Sequence, residues 1–359
     1  MSQVTHVPLL DLTRFDQSLE DEYCARFKTF LQSGRYIMGP ELDAFEHECA
    51  QYCGSQHALG VSSGTDALLL ALMALDIGQG DEVICPTYTF FATAGCIWRT
   101  GARPVFVDSN LYDCNIDDTK IEAAITDKTK AIIPVHLFGQ CANMNAIMTI
   151  AQKHNLYVIE DAAQAIGAKM LYQGEVRRAG SVGHFGCFSF FPSKNLGGFG
   201  DGGLLTTNES ELEHKAKIMR VHGGEPKYHH HVVGGNFRLD PLQATLLRPK
   251  LQRLDGWSQK RQDNAALYTQ LLTHSGLAQK LHPQTTLKKI KESRSVFLPV
   301  ENQQSHIYNQ FTLLLPSADA REHLREKLNQ ANIGHEVYYP IPLHKQNCFA
   351  ELNTHDANF

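Results

Sequence analysis

Lys194 stands where a lysine can do chemistry. The apolar, aromatic run 185–191 (FGCFSFF) has the composition of a buried strand and breaks at Pro192 and Ser193. Lys194 and Asn195 follow, and then a glycine cluster (Gly197, Gly198, Gly200, Gly202, Gly203) leads into a second apolar strand at 204–207. A lysine held just beyond a core strand can be desolvated, lose its proton and attack a carbonyl carbon. The bland alternative is a surface lysine in a glycine-rich turn, the commoner situation for lysine in general. Other residues have to decide between the two.

Asp161 closes the run YVIED and is followed by A-A-Q. A carboxylate past a strand end can keep a ring nitrogen protonated, or it can simply cap a following helix. Gln164, three residues on, reaches the same ligand from the first helical turn. The segment 61–66 (VSSGTD) precedes an apolar helix, so Ser63, Gly64 and Thr65 offer amides and hydroxyls to a phosphate, or an ordinary helix cap. Ser189, five residues before Lys194, adds a hydroxyl to that phosphate. Phe90, in PTYTFFAT, can lie flat on an aromatic ligand or serve as a core aromatic. Together, a lysine, an acid, a phosphate cradle and a stacking ring point to pyridoxal 5'-phosphate. That cofactor needs a Schiff-base lysine, an acidic partner for its pyridinium nitrogen and a phosphate cup.

The elements that must position these residues alternate from about 57 to 208. Helix 66–75 leads to strand 82–85, helix 92–99 to strand 104–107, helix 118–125 to strand 131–135, and helix 144–154 to strand 157–160. This pattern predicts an α/β fold with a mostly parallel sheet and helices on both faces. Ligands in such sheets sit at the carboxyl ends of the strands. Before this block, Gly39-Pro40 marks a turn into a helix at 41–52; helix 209–220 closes it. A histidine-rich loop (223–235) and a long helical pattern (239–272) follow. The tail reads as strand 308–315, helix 318–330 and strand 334–338. The expected division is an N-terminal segment (1–56), a large domain (57–250) and a smaller one (251–359). The chain stops in polar coil at Phe359, which predicts further C-terminal residues.

With a net charge of −5, 20% charged residues and no basic tract, the chain offers no footprint for nucleic acid or anionic lipid. The longest apolar run, 68–75, is too short to cross a bilayer, and MSQVTHVPLLDL lacks the features of a signal peptide. Nine cysteines without a C-x-x-C pair predict reduced thiols and a cytoplasmic protein. Gly198, Gly200 and Gly203 match G-x-G-x-x-G but open a strand rather than a helix, which discounts dinucleotide binding. His229, His230 and His231 are consecutive and converge poorly on one ion, so no metal site is expected.

The chain resembles the DegT-type pyridoxal phosphate aminotransferases that act on nucleotide-linked keto-sugars. The matching text is SSGTDAL, GDEVICPTYTFFAT, PVHLFGQ, VIEDAAQAIGA, FSFFPSKNLG, GGNFRLDPLQA and YYPIPLH, which spans nearly the whole chain. The resemblance implies fold type I, with a smaller C-terminal α/β domain, and a homodimer with shared active sites. Lys194 would form the Schiff base, Asp161 would pair with the pyridine nitrogen and Gln164 would contact the phenolic oxygen. Phe90 would stack on the ring. Ser63, Gly64, Thr65 and Ser189 would hold the phosphate, and Asn236 would reach the phosphate bound by the partner subunit. Tyr36, His229, His230, Arg238, Tyr338 and Tyr339 are the implied substrate contacts. The implied reaction moves an amino group from L-glutamate to a keto-sugar, at carbon 3 rather than carbon 4. The nucleotide and the sugar stay open. Alternatives are a dehydratase of the same fold, which Lys194 disfavours, a cofactor-binding regulator, and a nicotinamide-dependent sugar enzyme. No helix-turn-helix or basic segment precedes residue 57 to support a regulator.

Overall fold

The computed structural model describes residues 6–14 and 16–354. The polar end at Phe359 and the first five positions of the N-terminal stretch lie outside the described residues.

The strands are β1 (His57–Val61), β2 (Glu82–Pro86), β3 (Arg103–Val107), β4 (Thr129–Ile132), β5 (Tyr157–Asp161), β6 (Lys169–Tyr172), β7 (Glu175–Arg178), β8 (Phe185–Ser189) and β9 (Gly203–Thr207). Among the described residues, seven of these form one sheet in the order β1-β9-β8-β5-β4-β2-β3, and β6 and β7 make a separate antiparallel hairpin. The pairings are parallel except the two made by β9. No helix separates β8 from β9, so the chain has no crossover and must return antiparallel beside β8.

The helices are α1 (Gln17–Ser33), α2 (Pro40–Cys53), α3 (Gly64–Ala74), α4 (Ala92–Arg99), α5 (Asp118–Ile121), α6 (Met144–His154), α7 (Ser210–Met219), α8 (Pro241–Leu251) and α9 (Leu254–His274). Side chains alternate along each strand, and both faces of the sheet are covered. Phe188 of β8 joins Phe45, Ile147 and Leu247 from α2, α6 and α8. Phe185 and Cys187 join Leu68, Ile97 and Ala216 from α3, α4 and α7 on the other face. A sheet buried on both sides explains why its strands read as near-continuous apolar runs. The nine cysteines are free thiols, and among the described residues no helix is long and apolar enough to cross a membrane.

A buried charge network fixes the end of β5. Glu160 and His136 are both fully buried, with Nε2 of His136 donating to Glu160 at 2.7 Å. The Ala142 amide donates to His136 Nδ1 at 3.1 Å, so the ring is the neutral Nε2–H tautomer. Glu160 also accepts from the amides of Gly180, Val182 and Gly183 at 2.7–2.8 Å. Burial alone would push its carboxyl up, but the hydrogen bonds from His136, Gly183 and Gly180 outweigh it and hold the carboxyl below its ordinary value of 4.5. Glu160→Gln would turn an NH2 group toward two of these donors and is expected to destabilise the fold by about 3 kcal/mol at neutral pH. Because the folded pKa is lowered, the carboxylate's contribution is full above about 4.5 and is lost as pH falls through the folded value. Urea unfolding at pH 7 and again at pH 4 should therefore show a gap between variant and parent that narrows in acid. An equal gap at both values would contradict the charged network.

Beyond α9 the chain forms β10 (Ala278–Lys280), α10 (Leu287–Glu292), β11 (Val296–Leu298), paired in parallel with β10, and α11 (Ala318–Gln330). Four sequence readings are corrected here. The helical pattern 239–272 is two helices, α8 and α9, parted at Gln252 and Arg253, where the Arg253 amide bonds back three residues to Lys250 O instead of four. The expected strand 308–315 is an irregular strip that docks on loops of the large unit, with Tyr308 at φ 46°. The expected strand 334–338 is also irregular: the Gly334 amide bonds to Val7 O at 2.7 Å, pairing it with the N-terminal segment instead of a sheet. No helix follows Asp161; residues 162–168 are successive turns, with Ala165 bonded to Ala162 and Ala168 to Ala165.

Candidate active site

The proposed chemistry gathers at one edge of the sheet. Gly203, the first residue of the reversed strand β9, pairs with Val61 at the end of β1 and with Ser189 at the end of β8. Asp161 ends β5, two strands from β9. One edge therefore carries the loops that hold Ser63 to Thr65, Asp161, Ser189 and Lys194. The parallel topology imposes this, because strand ends that share a direction share an edge.

The turn carrying Lys194 is built from backbone bonds. Phe190 N donates to Gly202 O at 2.8 Å, Lys194 N to Phe191 O at 2.8 Å and Gly198 N to Phe190 O at 2.6 Å. Gly197 sits at φ 53°, and a Cβ there would lie 2.5 Å from Pro192 O, so this turn needs glycine. The Lys250 ammonium closes the turn by donating to Gly197 O. Burial pushes the Lys194 ammonium below its ordinary value, against the pull of the Asp161 carboxylate. Asp161 is 5% exposed. Burial pushes its carboxyl up, against hydrogen bonds from the Thr93 hydroxyl (2.7 Å) and the Ala163 amide (3.2 Å) and the charge of Lys194. A desolvated amine thus lies near a desolvated carboxylate, each poised to interact with a ligand that supplies the missing charge.

The phosphate cradle converges as well. A Cβ on Gly64 would fall 2.7 Å from Ser189 Cβ, so the first turn of α3 lies directly against the end of β8 only because position 64 is glycine. Ser63 caps α3, its hydroxyl accepting from Asp66 N at 3.0 Å, so the ordinary capping role of Ser63 also holds. The amides of Gly64 and Thr65, at the first two helical positions, have no intrahelical acceptor and remain for an anion. Gln164 is buried, and the Phe138 amide donates to its Oε1 at 2.7 Å. That bond turns the Gln164 NH2 outward, where it meets the Tyr339 hydroxyl at 3.3 Å.

Phe90 is 57% exposed, with its ring 6.5 Å from that of Tyr339. Tyr338 and Tyr339 pack with Tyr88 and Phe138 into an aromatic wall beside Gln164. Arg238 pairs with Val61, and Ser62 N donates to Phe237 O at 3.0 Å, so the strip 236–238 borders the cradle, with Asn236 exposed. Tyr36, His229 and His230 do not join this group among the described residues. The Tyr36 hydroxyl donates to Leu31 O at 3.3 Å, and the exposed His230 ring bonds to His222 O at 2.9 Å.

These residues fit pyridoxal phosphate: the carboxylate is buried, the lysine is desolvated, the cradle leaves two helix-terminal amides for phosphate, and the glutamine amide is oriented by its neighbour. The sequence reading missed Thr93, one helical turn beyond Phe90, although a hydroxyl at that spacing faces the same edge. It also missed His136 and Glu160, which lie inside the quoted motifs PVHLFGQ and VIEDAAQ.

Known proteins similar to this chain include named sugar aminotransferases. An Acidithiobacillus ferrooxidans protein named UDP-N-acetyl-3-dehydro-alpha-D-glucosamine 3-aminotransferase is 44% identical over 356 residues, 99% of this chain and 90% of its own. A pleiotropic regulatory protein of Geobacillus stearothermophilus is 44% identical over 348 residues, 97% of this chain and 87% of its own. The crystal structure of S. venezuelae DesV in complex with a ketimine intermediate matches with a TM-score of 0.87 at 40% identity, covering 97% of this chain and 87% of DesV. The model of the DegT/DnrJ/EryC1/StrS aminotransferase family matches residues 17–359, and the chain belongs to that family.

Proposed function

We propose that Lys194 is the residue through which this enzyme transfers an amino group from L-glutamate to a ketone of a nucleotide-linked sugar. The fold is that of the pyridoxal phosphate aminotransferases, and pyridoxal phosphate is the cofactor. The observation that carries the reading is the placement of a desolvated lysine, Lys194, and a buried carboxylate, Asp161, at the same end of the sheet. When bound, the cofactor supplies an electron sink for the carbon that loses its proton.

The chain's own residues do the rest. Lys194 would hold the cofactor through its carbonyl carbon, and once freed its neutral amine would carry the proton from the donor α-carbon to the cofactor carbon bonded to nitrogen. Burial lowers the pKa of Lys194 and so raises the share of that amine in its neutral form. Asp161 would keep the ring nitrogen protonated, and the Thr93 hydroxyl orients its carboxylate. Gln164 would donate to the phenolic oxygen, Gly64, Thr65 and Ser189 would hold the phosphate, and Phe90 would pack against the ring. Asn236, exposed beside the cradle, suits a reach toward the partner subunit in a homodimer, and Tyr338, Tyr339 and Arg238 border the substrate. The donor leaves as its keto acid, and the sugar ketone becomes an amine.

Relatives named as 3-amino-sugar transaminases of UDP- and dTDP-linked sugars place the preference at carbon 3. The test incubates purified protein with pyridoxal phosphate, L-glutamate and either a UDP-linked 3-keto sugar or a dTDP-linked 4-keto sugar. Amino sugar and 2-oxoglutarate should appear in equal amounts with the 3-keto compound. Faster turnover of the 4-keto compound would overturn the carbon 3 preference. The name of the Geobacillus relative favours a second reading, a cofactor-binding regulator; no turnover with either ketone, despite bound cofactor, would move the account there.

A further inference from the structure

We propose that Asn195 and Asn309 form a positioning pair that sets Lys194 and Gln164 in one register toward the cofactor. The proposal rests on the site roles given above. Asn195 directly follows Lys194 and is buried. Its Nδ2 donates to Ile307 O at 3.4 Å, and its Oδ1 accepts from Asn309 Nδ2 at 2.6 Å. The Ile307 carbonyl can only accept, so it dictates which way the Asn195 amide faces, and Asn195 in turn dictates the orientation of Asn309. The consequence is visible: Asn309 Oδ1 is buried without a partner. The bond to Asn195 is kept at the cost of that oxygen's own hydrogen bond.

The backbone of Asn309 reaches the other half of the site. Its amide donates to Phe138 O at 2.8 Å, and the Ile307 amide donates to Gly139 O at 3.0 Å. The Phe138 amide is the group that donates to Gln164 Oε1. A continuous path therefore runs from the residue beside Lys194, through Asn309 and Phe138, to Gln164. From outside, Arg261 Nη1 holds the same strip through Tyr308 O at 3.2 Å and Asn309 O at 3.3 Å. Lys194 and Gln164 thus share one anchor, a strip more than a hundred positions away from both in sequence, and a shift of the strip must move the amine and the amide together. Displacements of about 1 Å in reacting groups can cost about a hundredfold in rate.

The test compares Asn309→Ala with a control, Asn302→Ala, which removes a different hydrogen bond between the tail and the large unit (Asn302 Nδ2 to Asp113, 2.8 Å). With pyridoxal phosphate bound, Asn309→Ala should shift the pH midpoint of the lysine-bound cofactor's absorbance by about one unit. It should lower kcat about tenfold or more, with the KM for L-glutamate within about threefold. In the cofactor-free protein, amide exchange should quicken in both 136–140 and 190–198. Asn302→Ala should change none of these. Asn195→Ala breaks the same bond from the other side, so it stands in if Asn309→Ala does not fold, and the double variant should lose no more than the worse single one. Unchanged absorbance midpoint, kcat and exchange in a folded Asn309→Ala or Asn195→Ala would overturn the proposal. If the parent protein shows no lysine-bound absorbance, the cofactor reading fails, and exchange in the cofactor-free protein still decides the coupling.

Discussion

Lys194→Ala is expected to leave a folded protein whose turnover is reduced by at least about 10⁴-fold, because both the covalent link and the proton carrier are removed together. The side chain projects from a turn held by backbone bonds between Phe190, Phe191, Gly198 and Gly202, and by Lys250 on Gly197. None of these bonds needs the Lys194 amine, so the turn should persist. The amine is desolvated, and its removal takes a costly group out of a partly buried site. The variant should still bind pyridoxal phosphate through the cradle at Gly64, Thr65 and Ser189, without the absorbance of a lysine-bound carbonyl. The measurement is steady-state turnover at saturating donor and keto-sugar, beside circular dichroism. Near-parental turnover in a folded variant would remove Lys194 from the chemistry.

Asp161→Asn is the second large effect, with kcat expected to fall on the order of 10³-fold. Asparagine is nearly isosteric and can keep its one oxygen toward the Ala163 amide while its NH2 donates to the Thr93 hydroxyl, so packing at the end of β5 should be retained. What it cannot do is hold a proton on the ring nitrogen. The loss should therefore fall on kcat rather than on substrate binding, with the KM for L-glutamate within about threefold. In the parent, the buried carboxyl has its pKa raised by desolvation, and Lys194 opposes that shift. A bound pyridinium would add a second positive charge on the same side and favour the ionised form. A kcat within about threefold of the parent would contradict the assigned role of Asp161.

Much of this site was legible in the sequence because its parts are strand-end features. Lys194, Asp161, Ser189 and Gly64 each follow or close a short apolar run, and a parallel sheet turns that local property into a shared edge. The reversal of β9 was not read in advance, although the missing helix between 190 and 202 carries it. The errors have a common cause. Periodicity along 308–315 looks like a strand, but its backbone bonds go to Phe138 in a loop and to Phe297 in the short strand β11, partners that no local pattern names. The same applies to 334–338, which meets Val7 rather than a sheet. Thr93, His136 and Glu160 were passed over because their value lies in contacts with residues up to 68 positions away, as with the Thr93–Asp161 bond. Asn309 is the extreme case, since nothing local marks an asparagine that bonds to the neighbour of the reactive lysine.

The most direct test of the account is the absorbance of purified protein with pyridoxal phosphate, before and after L-glutamate, followed by borohydride reduction and peptide mapping. The account predicts a lysine-bound band that converts to the amine form of the cofactor on adding L-glutamate, with the reduced label of the untreated sample on the peptide containing Lys194. A band that forms with the label on another lysine, or no band at all, would contradict it.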